Sequence, residues 1–113
     1  GPAWEMTERV ADAYGLQVHV GFDDRHNHLY RPFGDAHLIF FSIPGLIKMY
    51  EQGVFDRRAP ELVPEPAPIG DAAPQWSALH ECAHMLVNAR GEPRGHGENW
   101  KQAYRELLER FLE

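Results

Sequence analysis

His80 and His84 stand four residues apart with Glu81 between them, in the order H-E-x-x-H. On an α-helix, residues four apart lie one turn above each other on the same face. Two imidazoles so placed can grip one metal ion, with the intervening carboxylate held beside it. Zinc takes nitrogen ligands at about 2.0–2.1 Å, and a catalytic site keeps its fourth position for water. The metal lowers the pKa of that water to roughly 7, and a neighbouring glutamate can then take its proton. The chemistry these residue types allow is hydrolysis, and the spacing is the zinc-peptidase signature.

The stretch around the motif must be helical for this to hold. Trp76, Leu79, Ala83, Leu86 and Val87 recur at helical spacing, and Gly91 sits where a C-terminal cap belongs. Asp71 or Ala73 can cap the start, and Pro74 is tolerable because it falls in the first turn. The two histidines then lie at the border of the apolar stripe, where a partly buried metal needs them. Cys82 points to the other side of the helix and reads as a small packing residue. Beyond a loop, His96-Gly97 opens a second helix over residues 99–112, with Trp100, Ala103, Tyr104, Leu107, Leu108 and Phe111 as its apolar stripe. His96, projected onto that helix, faces inward.

H-E-x-x-H, a loop of about a dozen residues, then H-G-x-x-aromatic resembles the SprT-like zinc metalloproteases, which include the Spartan proteases of DNA–protein crosslink repair. The resemblance spans about residues 37–108 and is specific in the motif region. It implies a zincin fold in which His80, His84 and His96 hold Zn²⁺ and Glu81 is the general base. It also makes residues 37–42 the candidate strand for binding substrate along its edge. The rivals to His96 as third ligand are Glu98 and Glu106, and both project towards solvent on the second helix. Cys82 is the only cysteine, so the zinc ribbon that follows the core in many relatives is not encoded in these residues.

The 113 residues are expected to form one domain, 43% of them apolar, enough for a small core. Seventeen acidic and eleven basic side chains give a net charge of −6, which disfavours a phosphate backbone as partner. DNA binding by this core is therefore not expected; a protein or peptide substrate is. A single cysteine fits a reducing, cytoplasmic setting. No apolar run is long enough for a membrane span, and no signal peptide is present in these residues. Gly1-Pro2 matches the scar of tag removal, which implies that the native N-terminus is missing. Oligomeric state is left open.

Residues 3–14 place Trp4, Val10, Ala11 and Tyr14 at helical intervals and stop at Gly15. Residues 16–22 alternate Leu16, Val18, Val20 and Phe22 against Gln17, His19 and Gly21, a half-buried strand with His19 on the solvent face. The polar turn 23–28 carries His26 and His28, read as solvated. Residues 29–33 form a second strand, which Pro32 confines to an edge or a bulge. Residues 37–42 are the strongest strand signal, buried on both faces, with His37 able to face the cleft. Residues 44–53 form a short helix whose buried side is Leu46, Ile47, Met49 and Tyr50. The Pro-rich segment 56–74 reads as an extended loop, a plain insertion in preference to a lid over the site.

The expected architecture is α+β: an N-terminal helix, a small mostly antiparallel sheet, the H-E-x-x-H helix and a C-terminal helix, a minimal zincin-like core. The expected activity is zinc-dependent peptide-bond hydrolysis. Two alternatives stay open: a metallohydrolase with a non-peptide substrate, and a non-catalytic zinc-stabilised module that binds a protein. A structural zinc site has no use for a base such as Glu81 and usually fills all four positions. Tyr30, Tyr50, Tyr104, Arg90 and Arg94 are the candidates for stabilising an oxyanion, with nothing in the sequence to choose among them.

Overall fold

Glycine closes the two helices whose exits matter most. In the computed structural model, which describes residues 1–112, helix α1 (Pro2–Tyr14) ends at Gly15 and α3 (Ala73–Ala89) at Gly91. Both glycines are left-handed, with φ of 66° and 68°. Leu16 N–H donates to Ala11 O at α1, and Glu92 N–H donates to Val87 O at α3, the six-to-one bond that finishes a Schellman cap. Between them lie β1 (Val18–Asp23), β2 (Leu29–Phe33), β3 (Ala36–Ser42) and α2 (Ile43–Gln52), and α4 (Glu98–Phe111) follows α3. The Ser42 hydroxyl caps α2 by accepting from Gly45 N–H at 3.0 Å.

The fold is α+β, with four helices and a three-stranded sheet. The sheet is mixed, which corrects the expectation of a mostly antiparallel one. Its order is β1-β3-β2, with β3 parallel to β1 and antiparallel to β2. The cause lies in the strands. Ile39 and Phe41 of β3 are fully buried, so the most apolar strand takes the middle. Pro32 has no N–H to donate, and its strand takes an edge. Residues 24–28 therefore cross the end of β3 and do not form a hairpin turn.

Helix α3 packs against α1, α2, α4 and β2. Twelve of its seventeen residues are buried, so it is enclosed on nearly every side and its apolar pattern runs all round. Leu79, Met85 and Leu86 from α3 meet Val10 of α1, Ile39 and Phe41 of β3, and Trp100, Tyr104 and Leu107 of α4 in one core. Two apolar pairs expected inside lie at the surface. Trp4 and Phe22 stack on each other while remaining half exposed, and Ile47 and Tyr50 face solvent from α2.

The Pro-rich segment is more structured than an extended loop. It forms short 3₁₀ turns at Pro60–Leu62 and Gly70–Ala72, and Ala59 is fully buried. Val54 N–H donates to Pro68 O at 2.9 Å, which ties the residues leading into the segment to its later half.

Candidate metal centre

The H-E-x-x-H residues lie on α3, and the Gly91 cap turns the chain so that residues 92–97 return to the same face. Gly95, at φ 105°, belongs to that return, and Gly97 caps α4. The result brings His96 Nε2 to 3.1 Å from His84 Nε2 and 3.3 Å from His80 Nε2. Among the described residues, His80, His84 and His96 are the group whose ligand atoms converge in this way, all within 4.8 Å of one another. Nitrogens bound tetrahedrally at about 2.05 Å stand roughly 3.3 Å apart. The donor set fits zinc.

The protonation states suit the same purpose, because a ligand imidazole must offer a lone pair. Burial pushes the pKa of His84 down to about 3, with the neighbouring His80 and His96 adding to the effect. His96 is also lowered, by burial first and then by His80 and Arg58. His80 behaves differently. Burial opposes its positive charge, yet the hydrogen bond to Asp56 and the charges of Glu81 and Asp56 outweigh burial and raise its pKa. Its Nδ1 lies 2.6 Å from Asp56 Oδ2. That contact places the ring proton on Nδ1 and leaves Nε2 as an acceptor facing the other two histidines.

Glu81 is buried, with its Oε2 3.6 Å from His80 Nε2. Burial raises its pKa to about 7, partly opposed by His80 and reinforced by Asp56. A dication held by the neighbouring imidazoles would favour the ionised carboxylate, the form that a general base needs. These residues border a cavity of about 750 Å³, within the size range of small-molecule and peptide pockets. Trp100 underlies the cluster: its Nε1–H donates to His80 O at 3.2 Å, and its ring centre lies 4.7 Å from those of His80 and His96.

Each expected site residue has a definite place. His80, Glu81, His84 and His96 come together; Glu98 and Glu106 do not join them. Glu98 is exposed beside Arg105, and Glu106 bonds to Tyr14 and Arg90. Cys82 is fully buried away from the site, its thiol pushed up to about 12 by burial. Of the oxyanion candidates, Tyr30, Tyr104 and Arg94 line the cavity, whereas Tyr50 and Arg90 do not. Tyr30 stacks on both His37 and His84. His37 is buried and bonds to the Tyr30 hydroxyl at 2.7 Å, so it holds that ring and does not face the cleft.

Three readings need correction. His28 is not solvated: its Nδ1 accepts from Ser42 N–H at 2.9 Å, and it lines the cavity. Residues 37–42 cannot take an added strand, because both edges of β3 are already paired; the edge strand beside the cavity is β2. The segment 56–74 is no plain insertion, since its Asp56 orients a candidate ligand. Sequence reasoning missed Asp56. The rule that a metal-bound histidine donates its second N–H to a carboxylate was a signal to search for one, but not which one.

Among the described residues, no helix is long and apolar enough to cross a membrane. The chain matches no protein-family model, no curated protein and no solved structure.

Proposed function

We propose that the chain is a zinc-dependent metallopeptidase of the SprT-like kind. The observation that carries the reading is the convergence of three imidazole nitrogens at zinc-ligand spacing with the Glu81 carboxylate beside them, at the wall of an open cavity. Zinc held there supplies Lewis acidity, which acidifies water and polarises a carbonyl. The chain's own residues do the rest. His80, His84 and His96 fix the position of the reacting centre, and Asp56 fixes the tautomer of His80. Glu81 takes the proton from the attacking water and returns it to the leaving amine.

An extended peptide would pair with the outer edge of β2, beside the cavity. The substrate is protein or peptide; DNA is disfavoured by the charge of −6. A cytoplasmic setting belongs to the same reading, on the strength of a single, buried thiol. A structural zinc site is the weaker alternative, because no fourth side chain joins the three histidines among the described residues.

The test is metal analysis of the purified protein together with Glu81→Gln. The expected result is about one zinc per chain in both proteins, with peptide cleavage lowered roughly 10²–10⁴-fold in the variant. Protein that stays metal-free after zinc is added back, or a variant that cleaves at the unaltered rate, refutes the reading.

A further inference from the structure

The cavity has a charge opposite to that of the chain. Lys48, Arg57, Arg58 and Arg94 line it, against two carboxylates, Asp56 and Glu81. Both carboxylates are already committed, Asp56 to His80 and Glu81 to its buried place beside the same ring. None of the four cations pairs with a carboxylate among the described residues; of the seven outside the cavity, Arg25, Arg90, Lys101 and Arg105 do, and Arg9, Arg31 and Arg110 do not. In a chain of net charge −6, the cavity thus gathers four cations without ion-pair partners against two committed carboxylates, where a substrate would lie.

The cations also flank the histidines. Arg58 lies within electrostatic reach of His80 and His96, and Arg94 within reach of His84 and Tyr30. Arg57 and Arg58 follow Asp56 directly, and Arg58 N–H donates to Asp56 Oδ1 at 2.9 Å. The turn that orients His80 therefore also delivers two guanidinium groups to the rim. Lys48 comes from α2, with its ammonium 5.5 Å from the Phe55 ring centre.

We propose that this cleft selects acidic peptide segments, with Lys48, Arg57, Arg58 and Arg94 as the specificity-determining cations; the proposal rests on the peptidase reading. A concave wall of one sign focuses field lines and concentrates ligands of the other sign. Guanidinium groups pair with carboxylates in two-pronged geometry, which adds orientation to attraction. A nucleic acid is the poorer match. Its phosphates continue past any short site, and beyond this cavity they meet a surface with acidic residues in excess. An acidic peptide segment can confine its charges to the cleft, where Met49, Val54 and Trp76 offer apolar contact to neighbouring side chains.

The experiment measures binding of fluorescent peptides to zinc-loaded Glu81→Gln protein, so that cleavage does not intervene. Three peptides share one sequence apart from four positions that are Glu, Gln or Lys. The Glu peptide is expected to bind about tenfold more tightly than the Gln peptide and more tightly still than the Lys peptide, with the preference shrinking as salt rises. Adding Arg57→Glu with Arg94→Glu should abolish the preference, while adding Arg9→Glu, on α1 and outside the cavity, should keep it; zinc content of each variant reports that the site is intact. Equal binding of the three peptides, a preference that survives in the double reversal, or tighter binding of single-stranded DNA than of the Glu peptide overturns the proposal. Wild-type cleavage of the same set separates the two ideas. Equal cleavage of all three leaves the peptidase reading standing and removes the selectivity, whereas selective binding with no cleavage does the reverse.

Discussion

Asp56 Oδ2 accepts a hydrogen bond from His80 Nδ1 at 2.6 Å, across a sequence separation of 24 residues. Partners of this kind typically change metal affinity about 10–100-fold. Asp56→Ala is therefore expected to weaken zinc binding by that factor in competition with a chromophoric chelator. Asp56→Asn keeps an accepting oxygen and should lose less. Unchanged affinity in Asp56→Ala would show that the contact does not orient the ligand.

His96→Ala should lower zinc affinity by orders of magnitude, because it removes one of three converging nitrogens. Glu98→Ala and Glu106→Ala should stay metal-replete, since these carboxylates face Arg105 and Arg90. Glu106→Ala would cost stability instead, about 1 kcal/mol or less for its half-exposed ion pair. Metal analysis of the three variants decides it; an empty Glu106→Ala beside a loaded His96→Ala would refute the three-histidine site.

The stability of the zinc-free protein should fall in acid through His28. Burial, with a smaller contribution from His80, lowers the pKa of His28 from 6.5 to about 4, and its Nδ1 accepts from Ser42 N–H. Below pH 6.5 the unfolded chain binds a proton that the folded chain refuses. The contribution is thus fully present above about 6.5 and is lost as pH falls towards 4. Between pH 7 and 5 the loss is about 1–2 kcal/mol. Urea denaturation of His28→Asn should show a shallower decline than the parent over that interval. Identical declines would exclude His28 as the source.

Trp100 should report the metal. Its ring lies 4.7 Å from those of His80 and His96, so a change in the charge of these imidazoles changes its surroundings. Stripping zinc with a chelator is expected to shift or quench tryptophan emission, and Trp100→Phe to remove most of the response. A full response in Trp100→Phe would assign it to Trp4 or Trp76.

The parts of the site carried by local periodicity could be read from the sequence. His80, Glu81 and His84 follow from helical spacing, and Gly91 from cap chemistry. That His96 faces inward follows from its place at the head of an amphipathic helix, while its joining the other two is implied by the resemblance of the H-G-x-x-aromatic stretch. Asp56 could not be read, because its role depends on a contact between segments far apart in the chain, and seventeen acidic residues offer the same chemistry. Strand order was hidden for a related reason. Alternation tells which face of a strand is buried but not which strand lies alongside, so β1 and β2 look like a hairpin until β3 is placed between them. His28 looked solvated because a polar turn gives no sign that its ring will meet Ser42 N–H, fourteen residues on.

The strand order has a consequence for how the chain acquires its shape. β1 pairs only with β3, and β2 pairs only with β3. A nascent chain that has emerged as far as Asp35 thus holds two strands with no ladder between them, and the seven residues Ala36–Ser42 supply the partner of each. Only β2 and β3 are joined as a hairpin, through Gly34-Asp35, so the local pair can form first and β1 is the strand that must come from a distance to lie parallel to β3. The helix that follows β3 without a break is capped by that strand's final serine, so fixing the middle strand also fixes where α2 begins.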